Sequence, residues 1–419
     1  MSSASRFATS AAAFASTIAL VLGASPAAEA DTGSVEATSM LPTGSVFGES
    51  FAGSLDGSVA APLPAGSVVA REPASDTARL PSAVRSERIT YVSTGASGAP
   101  VLVTGLVDFP AGDPPTGGWP VMSWAHGTTG VADPCAPSLD SPGGSAHDYL
   151  AAMQPDLNAW LDRGYVVVRT DYEGLGTPGV HPYLNAASET HSVTDIVRAA
   201  RRLDARVSPR WVVTGHSQGG QAALFTAQWA KDFAPDLQLL AAVAIAPGSG
   251  FGATVDYVRA GMPGSAAAAR FLPVIVLGAG AVSPAVQPDK IFSDTAAPLL
   301  AAGRSGCLAD IAKVPPVPAE QVFRPGVDLT PLTTYLNAQE PALARPRVPV
   351  LLAQGTADVL VDPRGTARVA ETLCAAGTEL DYRTYAGADH RDAVRDSLQD
   401  AIGFADSAFA GRPAPRACS

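Results

Sequence analysis

The sequence contains little charge and few aromatic residues. Of its 419 residues, 16% are charged and 6% are aromatic, whereas 47% are hydrophobic. Soluble domains typically carry about 25% charged residues, and disordered chains combine high charge with low hydrophobicity. We therefore expect an ordered chain with little surface charge. Basic residues are also few, 28 against 39 acidic ones, so neither nucleic acid nor an anionic membrane is an expected partner.

Other absences exclude further classes of protein. No stretch reaches the roughly 18 consecutive apolar residues of a membrane span, so no transmembrane anchor is predicted. The sequence has no HExxH motif, no clustered histidine and carboxylate spacing, and no CxxC pair. A metal site is therefore not predicted.

The N-terminal thirty residues indicate export. Residues 11–24 form an apolar run behind a single basic residue, Arg6, and a small-x-small triplet follows at 28–30. The run is too short for a membrane anchor and is typical of a secretory signal. We expect residues 1–30 to be removed by cleavage near Ala30 and the mature chain to be secreted.

Four cysteines remain in the mature chain, an even number that suggests two disulfides in an exported protein. Three pairings are possible, and the sequence does not choose among them. No motif nearby supports a catalytic cysteine. The four residues are Cys135, Cys307, Cys374 and Cys418.

The periodicity predicts an α/β protein whose sheet begins antiparallel. Residues 31 to about 85 are weakly periodic and are expected to form an extended surface segment. The runs 87–93 and 100–109 then indicate a hairpin. Unbroken apolar runs, typical of buried parallel strands, follow at 120–125, 165–170, 211–215, 239–246, 349–354 and 380–385. Helices are predicted between most of them, at about 146–163, 188–205, 218–232, 364–376 and 391–409.

One insertion interrupts this rhythm. Residues 250–345 contain Ala-rich helical stretches and several proline breaks but no strand pattern. We predict a helical cap there, inserted into a core made of residues 31–249 and 346–419. Apolar cap residues such as Phe251, Phe271 and Leu272 are expected to form the core of the cap rather than an acyl tunnel.

A serine between glycines follows the strand at 211–215. The run Gly215-His216-Ser217-Gln218-Gly219 matches G-x-S-x-G in the strand-turn-helix context that this motif requires. Glycines are needed because other side chains in so tight a turn would clash with the neighbouring strand and helix. An ordinary glycine-rich turn is the alternative, and a serine hydroxyl is inert without a base.

His390 is the predicted general base. It lies in the loop between the last strand and the last helix, where hydrolases of this type place the base. His216 is excluded because it adjoins the nucleophile and must point elsewhere. Structural roles are expected for His147, His181 and His191, which fall in segments predicted to be surface helix or loop.

The orienting acid is predicted in the turn after the penultimate strand. Asp358 follows that strand directly, and Asp362 is the competitor four residues later. Both satisfy the chain order Ser, Asp, His, and the shorter reach from the strand end favours Asp358. Asp389 is disfavoured because the side chains of adjacent loop residues diverge.

Two backbone N–H groups are needed to stabilise the tetrahedral oxyanion. Gln218, directly after the nucleophile, is predicted to supply one of them. The strand at 120–125 ends in the loop His126-Gly127-Thr128-Thr129-Gly130, and Thr128 is predicted to supply the other, with Thr129 as the near alternative. A plain glycine turn is the non-functional alternative for this loop.

Together these motifs resemble the secretory lipase family of fungi and actinobacteria over most of residues 65–419. The resemblance rests on GHSQGG (215–220), GTAD (355–358), the DH pair ending at His390, HGTTG (126–130) followed by CAPS (135–138), and TDYEGLG (170–176).

This resemblance implies an α/β-hydrolase fold, a mostly parallel sheet flanked by helices, with a helical cap inserted after the sixth predicted strand. It also implies export, hydrolysis of triacylglycerol or other esters without a cofactor, and pairing of Cys135 with Cys307 and of Cys374 with Cys418.

The leading hypothesis is a secreted serine lipase that acts on lipid or other ester substrates at a lipid–water interface. A serine acyltransferase or peptidase on the same fold is the alternative, because a triad fixes acyl transfer but not the acceptor. A non-catalytic binding protein is disfavoured, because the set Ser217, Asp358 and His390 is intact.

Overall fold

A computed structural model describes residues 63–413 and Cys418. The predicted signal segment, its cleavage point near Ala30 and residues 31–62 of the expected extended segment lie outside the described residues. The described residues all belong to one compact unit, Ala61–Ser419.

A single sheet runs through the described part of the chain. Its nine strands are β1 (Val68–Pro73), β2 (Arg85–Thr94), β3 (Pro100–Phe109), β4 (Trp119–Ala125), β5 (Val166–Thr170), β6 (Val207–His216), β7 (Gln238–Ile245), β8 (Val350–Gly355) and β9 (Leu380–Tyr385).

The strand order is β1-β2-β3-β5-β4-β6-β7-β8-β9. The three pairs β1·β2, β2·β3 and β3·β5 are antiparallel. The five remaining pairs, from β5·β4 to β8·β9 in the sheet order, are parallel. This is the predicted α/β architecture with an antiparallel start. Because β4 adjoins β6 and β8 adjoins β9, the loops that follow these strands meet at one edge of the sheet.

Strand β1 was not predicted. It lies in the segment that the sequence indicated only as extended, and it pairs with β2 at the edge of the sheet. Apolar and polar residues alternate only weakly in its sequence VVAREP, and all of its residues except the first are exposed. An edge strand that buries so little apolar surface leaves no hydrophobic periodicity for prediction.

Five helices flank the sheet and seven lie between β7 and β8. The helices before β7 are α1 (His147–Asp162), α2 (Ala186–Leu203) and α3 (Gln218–Phe233). Between β7 and β8 the described chain forms α4 (Phe251–Arg259), α5 (Ser265–Ala268), α6 (Leu272–Val282), α7 (Pro288–Ile291), α8 (Ala297–Ser305), α9 (Leu308–Lys313) and α10 (Thr330–Asn337). Helices α11 (Pro363–Ala375) and α12 (Asp392–Phe409) follow β8 and β9.

The central strands are apolar on both faces. In β5, Val166 and Val168 belong to the hydrophobic cluster that contains residues of α2, whereas Val167 belongs to a second cluster that contains residues of α1 on the other face. Successive strand residues point to opposite faces, so a strand covered by helices on both sides needs an unbroken apolar run. This arrangement explains why runs such as YVVVRT predict buried strands.

The helices between β7 and β8 share a hydrophobic cluster of their own. Phe251, Leu272 and the run 274–277 are buried in it, and Phe271 packs against it. In the part of the chain that the structure describes, the stretch Ser265–Val282 is long and apolar enough to cross a membrane. However, 56% of this stretch is buried, and its buried apolar side chains belong to this cluster, as expected of a core helix.

Two disulfides fasten the chain. Cys135 bonds to Cys307, and Cys374 bonds to Cys418 across 44 residues. These are the pairings that the family resemblance implies. The first joins the loop after β4 to the start of α9, and the second joins the end of α11 to the C-terminal segment.

Removal of the second disulfide should destabilise the fold. In the chain-entropy model, a bond that closes a loop of 44 residues contributes about 4 kcal/mol at 25 °C. We expect the variant Cys374→Ser/Cys418→Ser to lose up to this amount in the free energy of unfolding, measured by urea denaturation. The Cys374→Ala/Cys418→Ala variant controls for the added hydroxyls, and an unchanged midpoint in both variants would contradict the prediction.

Candidate active site

Ser217 occupies the sharp turn between β6 and α3. Its backbone has φ 58° and ψ −114°, a conformation that non-glycine residues rarely adopt. Its N–H donates to the carbonyl of Ile245 at 2.9 Å, which ties the turn to the end of β7. The serine therefore stands at the N-terminus of α3, where the helix dipole favours negative charge.

The glycines on either side of Ser217 allow a close approach of backbone segments. A Cβ atom on Gly215 would lie 2.0 Å from the carbonyl oxygen of Gly219. A Cβ atom on Gly219 would lie 1.8 Å from the carbonyl oxygen of Ala125, the last residue of β4. Any side chain at either position would force α3 away from the sheet.

Asp358 and His390 are hydrogen-bonded to each other. His390 Nδ1 lies 2.7 Å from Asp358 Oδ2, and the other carboxylate oxygen accepts from the N–H groups of Leu360 and Val361. Burial alone would raise the pKa of Asp358, but the hydrogen bond and charge of His390 and these two N–H groups lower it. The carboxylate stays ionised and holds Nδ1 of His390 as the protonated nitrogen, which leaves Nε2 to accept a proton.

The two competing aspartates have other partners. Asp362 is the N-cap of α11, where its carboxylate accepts from the N–H of Arg364 and pairs with the Arg364 guanidinium. Asp389 accepts from the N–H groups of Arg391 and Asp392 at the start of α12. Both carboxylates therefore serve helix starts, and Asp358 is the aspartate that the structure brings to His390.

His390 also lies against the turn that carries the serine. The rings of His390 and His216 are 4.5 Å apart between centroids, and His216 directly precedes Ser217. The loops after β8 and β9 are packed together as well, because a Cβ atom on Gly355 would lie 2.4 Å from the carbonyl oxygen of Ala388. The sequence-predicted serine, base and acid are thus gathered at one end of the sheet.

The loop after β4 packs on the same turn. A Cβ atom on Gly127 would lie 3.2 Å from the carbonyl oxygen of His216. The Thr128 hydroxyl is hydrogen-bonded to Tyr183 Oη at 2.7 Å, and the Thr129 carbonyl accepts from the N–H of Leu308 in the inserted segment at 2.8 Å. Gly127 of this loop therefore lies against the serine turn, and Thr128 and Thr129 follow it directly in the chain.

The side chain of Gln218 is held in a buried polar cluster. Its amide nitrogen donates to His181 Nε2 at 2.9 Å and to Glu189 Oε1 at 2.7 Å. His181 Nδ1 donates to the carbonyl of Glu173, so its Nε2 is free to accept. The Gln218 side chain is therefore fixed behind the site while its backbone N–H lies at the start of α3.

Burial determines the charge state of this cluster. It lowers the pKa of His181 to about 3 and raises that of Glu189 to about 8, although hydrogen bonds from Gln218 and from the N–H of Leu184 partly offset the second shift. Both side chains are therefore neutral at pH 7. Glu189 Oε2 is buried and has no hydrogen-bond partner among the described residues, and burial of a neutral carboxyl there costs less than burial of a carboxylate.

The expectation that His181 lies on the surface is wrong, because its side chain is fully buried. Its segment contains proline and glycine and has no periodicity, so the burial of His181 could not be predicted. His147 is partly exposed and pairs with Asp140, and His191 bonds to the carbonyl of Thr94. These contacts are structural, as expected.

A separate cleft lies at the opposite end of the strands. It has a volume of about 530 Å³ and is lined by residues 115–118 and by Arg210 and Phe409. Arg163 on its rim is paired with Asp406 at 2.6 Å. Among the described residues no group of three or more His, Cys, Asp or Glu side chains could hold a metal ion.

A mostly parallel sheet, a serine on the strand-turn-helix after β6, and an acid and a base after β8 and β9 define an α/β-hydrolase. Residues 152–416 match the family model described as secretory lipase. The chain belongs to this family and is a carboxylic ester hydrolase. Family membership and the two disulfides indicate an exported protein.

Solved structures share the fold. Candida antarctica lipase A superposes with a TM-score of 0.72 at 20% identity, over 85% of this chain and 84% of that one. The rice cell wall degrading esterase LipA from Xanthomonas oryzae gives 0.64 at 20% identity, over 84% and 100%. A putative hydrolase from Legionella pneumophila gives 0.62 at 23% identity, over 77% and 88%. No curated protein sequence matches the chain.

The buried Glu189 should make stability fall as pH rises. Because its pKa is about 8 in the folded chain and about 4.3 when unfolded, the folded state binds the extra proton between these values. Stability is then lost progressively from about pH 5 to pH 8, by an upper limit of about 4 kcal/mol.

We expect Glu189→Gln to reduce this pH dependence, measured as the free energy of unfolding in urea at pH 5 and pH 8. Glutamine keeps the shape of the side chain but does not titrate. Glu320→Gln, at an exposed position in the inserted segment, is the control and should retain the wild-type slope. Equal slopes for wild type and Glu189→Gln would contradict the assignment.

Proposed function

We propose that the protein hydrolyses carboxylic esters through an acyl-enzyme intermediate, with Ser217 as nucleophile, His390 as general base and Asp358 as the orienting acid. The observation that carries this proposal is the hydrogen bond of 2.7 Å between Asp358 and His390 beside the Ser217 turn. A serine is an effective nucleophile only when a positioned base takes its proton.

In the proposed reaction, Ser217 Oγ attacks the ester carbonyl while His390 Nε2 takes its proton. Asp358 stabilises the imidazolium, and His390 returns the proton to the departing alcohol. Water then attacks the acyl-serine with the same base. The backbone N–H groups of Gln218 and Thr128 are the proposed oxyanion donors, with Thr129 as the alternative to Thr128.

Triacylglycerol is the proposed substrate. Membership of the secretory lipase family supports it, as do the low charge of the chain, 16%, and the fold shared with Candida antarctica lipase A. We assign residues 250–345 as a cap over the site and residues 31–249 and 346–419 as the core. Secretion would follow cleavage near Ala30, and the mechanism requires no cofactor.

Replacement of the nucleophile tests this proposal directly. Ser217→Ala should abolish hydrolysis of nitrophenyl esters and of emulsified triolein, because the variant lacks the hydroxyl that would carry the acyl group. Ser305→Ala, a serine of α8 in the inserted segment, is the control and should keep wild-type rates. Full activity of Ser217→Ala would overturn the mechanism, whereas ester hydrolysis by the wild type without release of fatty acid from triolein would overturn only the substrate.

A second pair of variants separates the two candidate acids. Asp358→Asn should reduce kcat by about 10³- to 10⁴-fold, because the amide no longer favours the required tautomer of His390. Asp362→Asn keeps an N-cap side chain on α11 and should leave kcat within about twofold. The measurement is kcat for a soluble nitrophenyl ester. A large loss in Asp362→Asn with little loss in Asp358→Asn would reverse the assignment.

A further inference from the structure

Three hydrogen bonds connect the loops that carry the proposed oxyanion donor, the nucleophile and the base. The N–H of Gly127 donates to Tyr149 Oη at 2.8 Å, and Tyr149 Oη lies 3.1 Å from His216 Nδ1. His216 Nε2 lies 2.9 Å from the carbonyl oxygen of His390. None of these three contacts uses the side chain of Ser217, Asp358 or His390.

In this series of three hydrogen bonds, only one assignment of donors and acceptors is possible. The His390 carbonyl can only accept, so His216 Nε2 carries the proton and Nδ1 is left as an acceptor. Tyr149 Oη already accepts from the Gly127 N–H, so its own proton goes to His216 Nδ1. All three hydrogen bonds form when His216 is neutral and carries its proton on Nε2.

The surroundings of His216 agree with this tautomer. Its side chain is 1% exposed. Burial lowers the pKa of His216 well below its usual range, and the neighbouring His390 acts in the same sense. A charged His216 would lose its acceptor nitrogen and with it the bond from Tyr149, so the neutral form is the one that fits the structure.

The loop that carries His390, residues 386–391 between β9 and α12 (the base loop), needs the support of the bond from His216. In the sheet, β9 is separated from β6 by β7 and β8, a distance of roughly 14 Å at the usual strand spacing. The loop after β9 must therefore reach back across two strand ends to bring His390 to Ser217. Asp358 fixes the ring of His390, whereas His216 is bonded to its backbone.

Tyr149 is held from outside as well. The Arg391 guanidinium lies over the Tyr149 ring, 5.6 Å from its centroid, and also pairs with Asp148 at 2.7 Å. Arg391 follows His390 directly, so α1 contacts the chain next to the histidine. Phenylalanine at position 149 would keep this ring contact and lose only the hydroxyl.

We propose that Tyr149 and His216 are positioning residues. They hold the loop 126–130 (the oxyanion loop) and the base loop in place relative to the turn 215–219 that carries Ser217. This role deepens the proposed function and rests on it. Neither side chain needs to touch the substrate. Their loss should slow the chemical step through misplacement of other groups, and a displacement of about 1 Å in an active site can cost about 100-fold in rate.

The test is kcat per active site, obtained by titrating Ser217 with a fluorophosphonate and assaying a soluble nitrophenyl ester. Titration removes the contribution of unfolded protein, which a merely structural role would change. Tyr149→Phe should lower kcat about 10- to 100-fold with KM within about twofold. The matched control is Tyr385→Phe, which deletes the hydroxyl that Tyr385 of β9 donates to Asp400 of α12. This variant should keep kcat within about twofold.

Two variants of His216 separate the bonds. His216→Gln places an amide N–H near the original Nε2 and can still donate to the His390 carbonyl, so it should retain a higher kcat than His216→Asn. His216→Asn can accept from Tyr149 but is too short to reach His390, and its kcat should fall at least tenfold. Equal kcat values for these two variants would overturn the role of the His390 bond.

The outcomes distinguish this proposal from the proposed function. Full kcat in Tyr149→Phe and His216→Asn, with Ser217→Ala inactive, would overturn the positioning role and leave the nucleophile in place. Full activity of Ser217→Ala would overturn the proposed function itself. A fall in kcat that Tyr385→Phe shares equally would also overturn the positioning role, because it would be a general effect of losing a tyrosine hydroxyl.

Discussion

The close approach between the start of α3 and the end of β4 is the constraint on which the site depends. Gly219 lies so near the carbonyl of Ala125 that a Cβ atom would be 1.8 Å away. This contact fixes the serine turn and the loop after β4 relative to each other. It also forces Ser217 into its unfavourable backbone conformation, which the bond to Ile245 and the packing of α3 must offset.

The buried polar cluster of Gln218, His181 and Glu189 fixes the start of α3 in this position. An amide, an imidazole and a carboxyl are buried together, each in a defined protonation state, and the Gln218 side chain is fixed by two bonds that it donates. Preorganised donors are effective because they need no reorganisation during the reaction. Burial of the Glu189 carboxyl, whose second oxygen has no hydrogen-bond partner in the described part of the chain, raises its pKa and so ties part of the protein's stability to pH.

Much of the fold could be predicted because its central strands are buried on both faces. Runs such as PVLVTGLVDF, which forms β3 over Pro100–Phe109, carry their own periodicity and turn signals. The site residues nearest the strand ends follow from topology, since parallel strands bring their following loops to one edge. Strand β1 lacked such a pattern. The positions of Tyr149, His181 and Glu189 could not be predicted, because their contacts come from helix packing and from a loop without periodicity.

The inserted segment is fastened to the same loop that supplies a proposed oxyanion donor. Cys307 is bonded to Cys135, Leu308 donates to the Thr129 carbonyl at 2.8 Å, and Asp310 accepts from Ser145 at 2.8 Å. Under the proposed function, a cap held at these three points cannot lift as one rigid body without moving the loop that would supply the oxyanion donor.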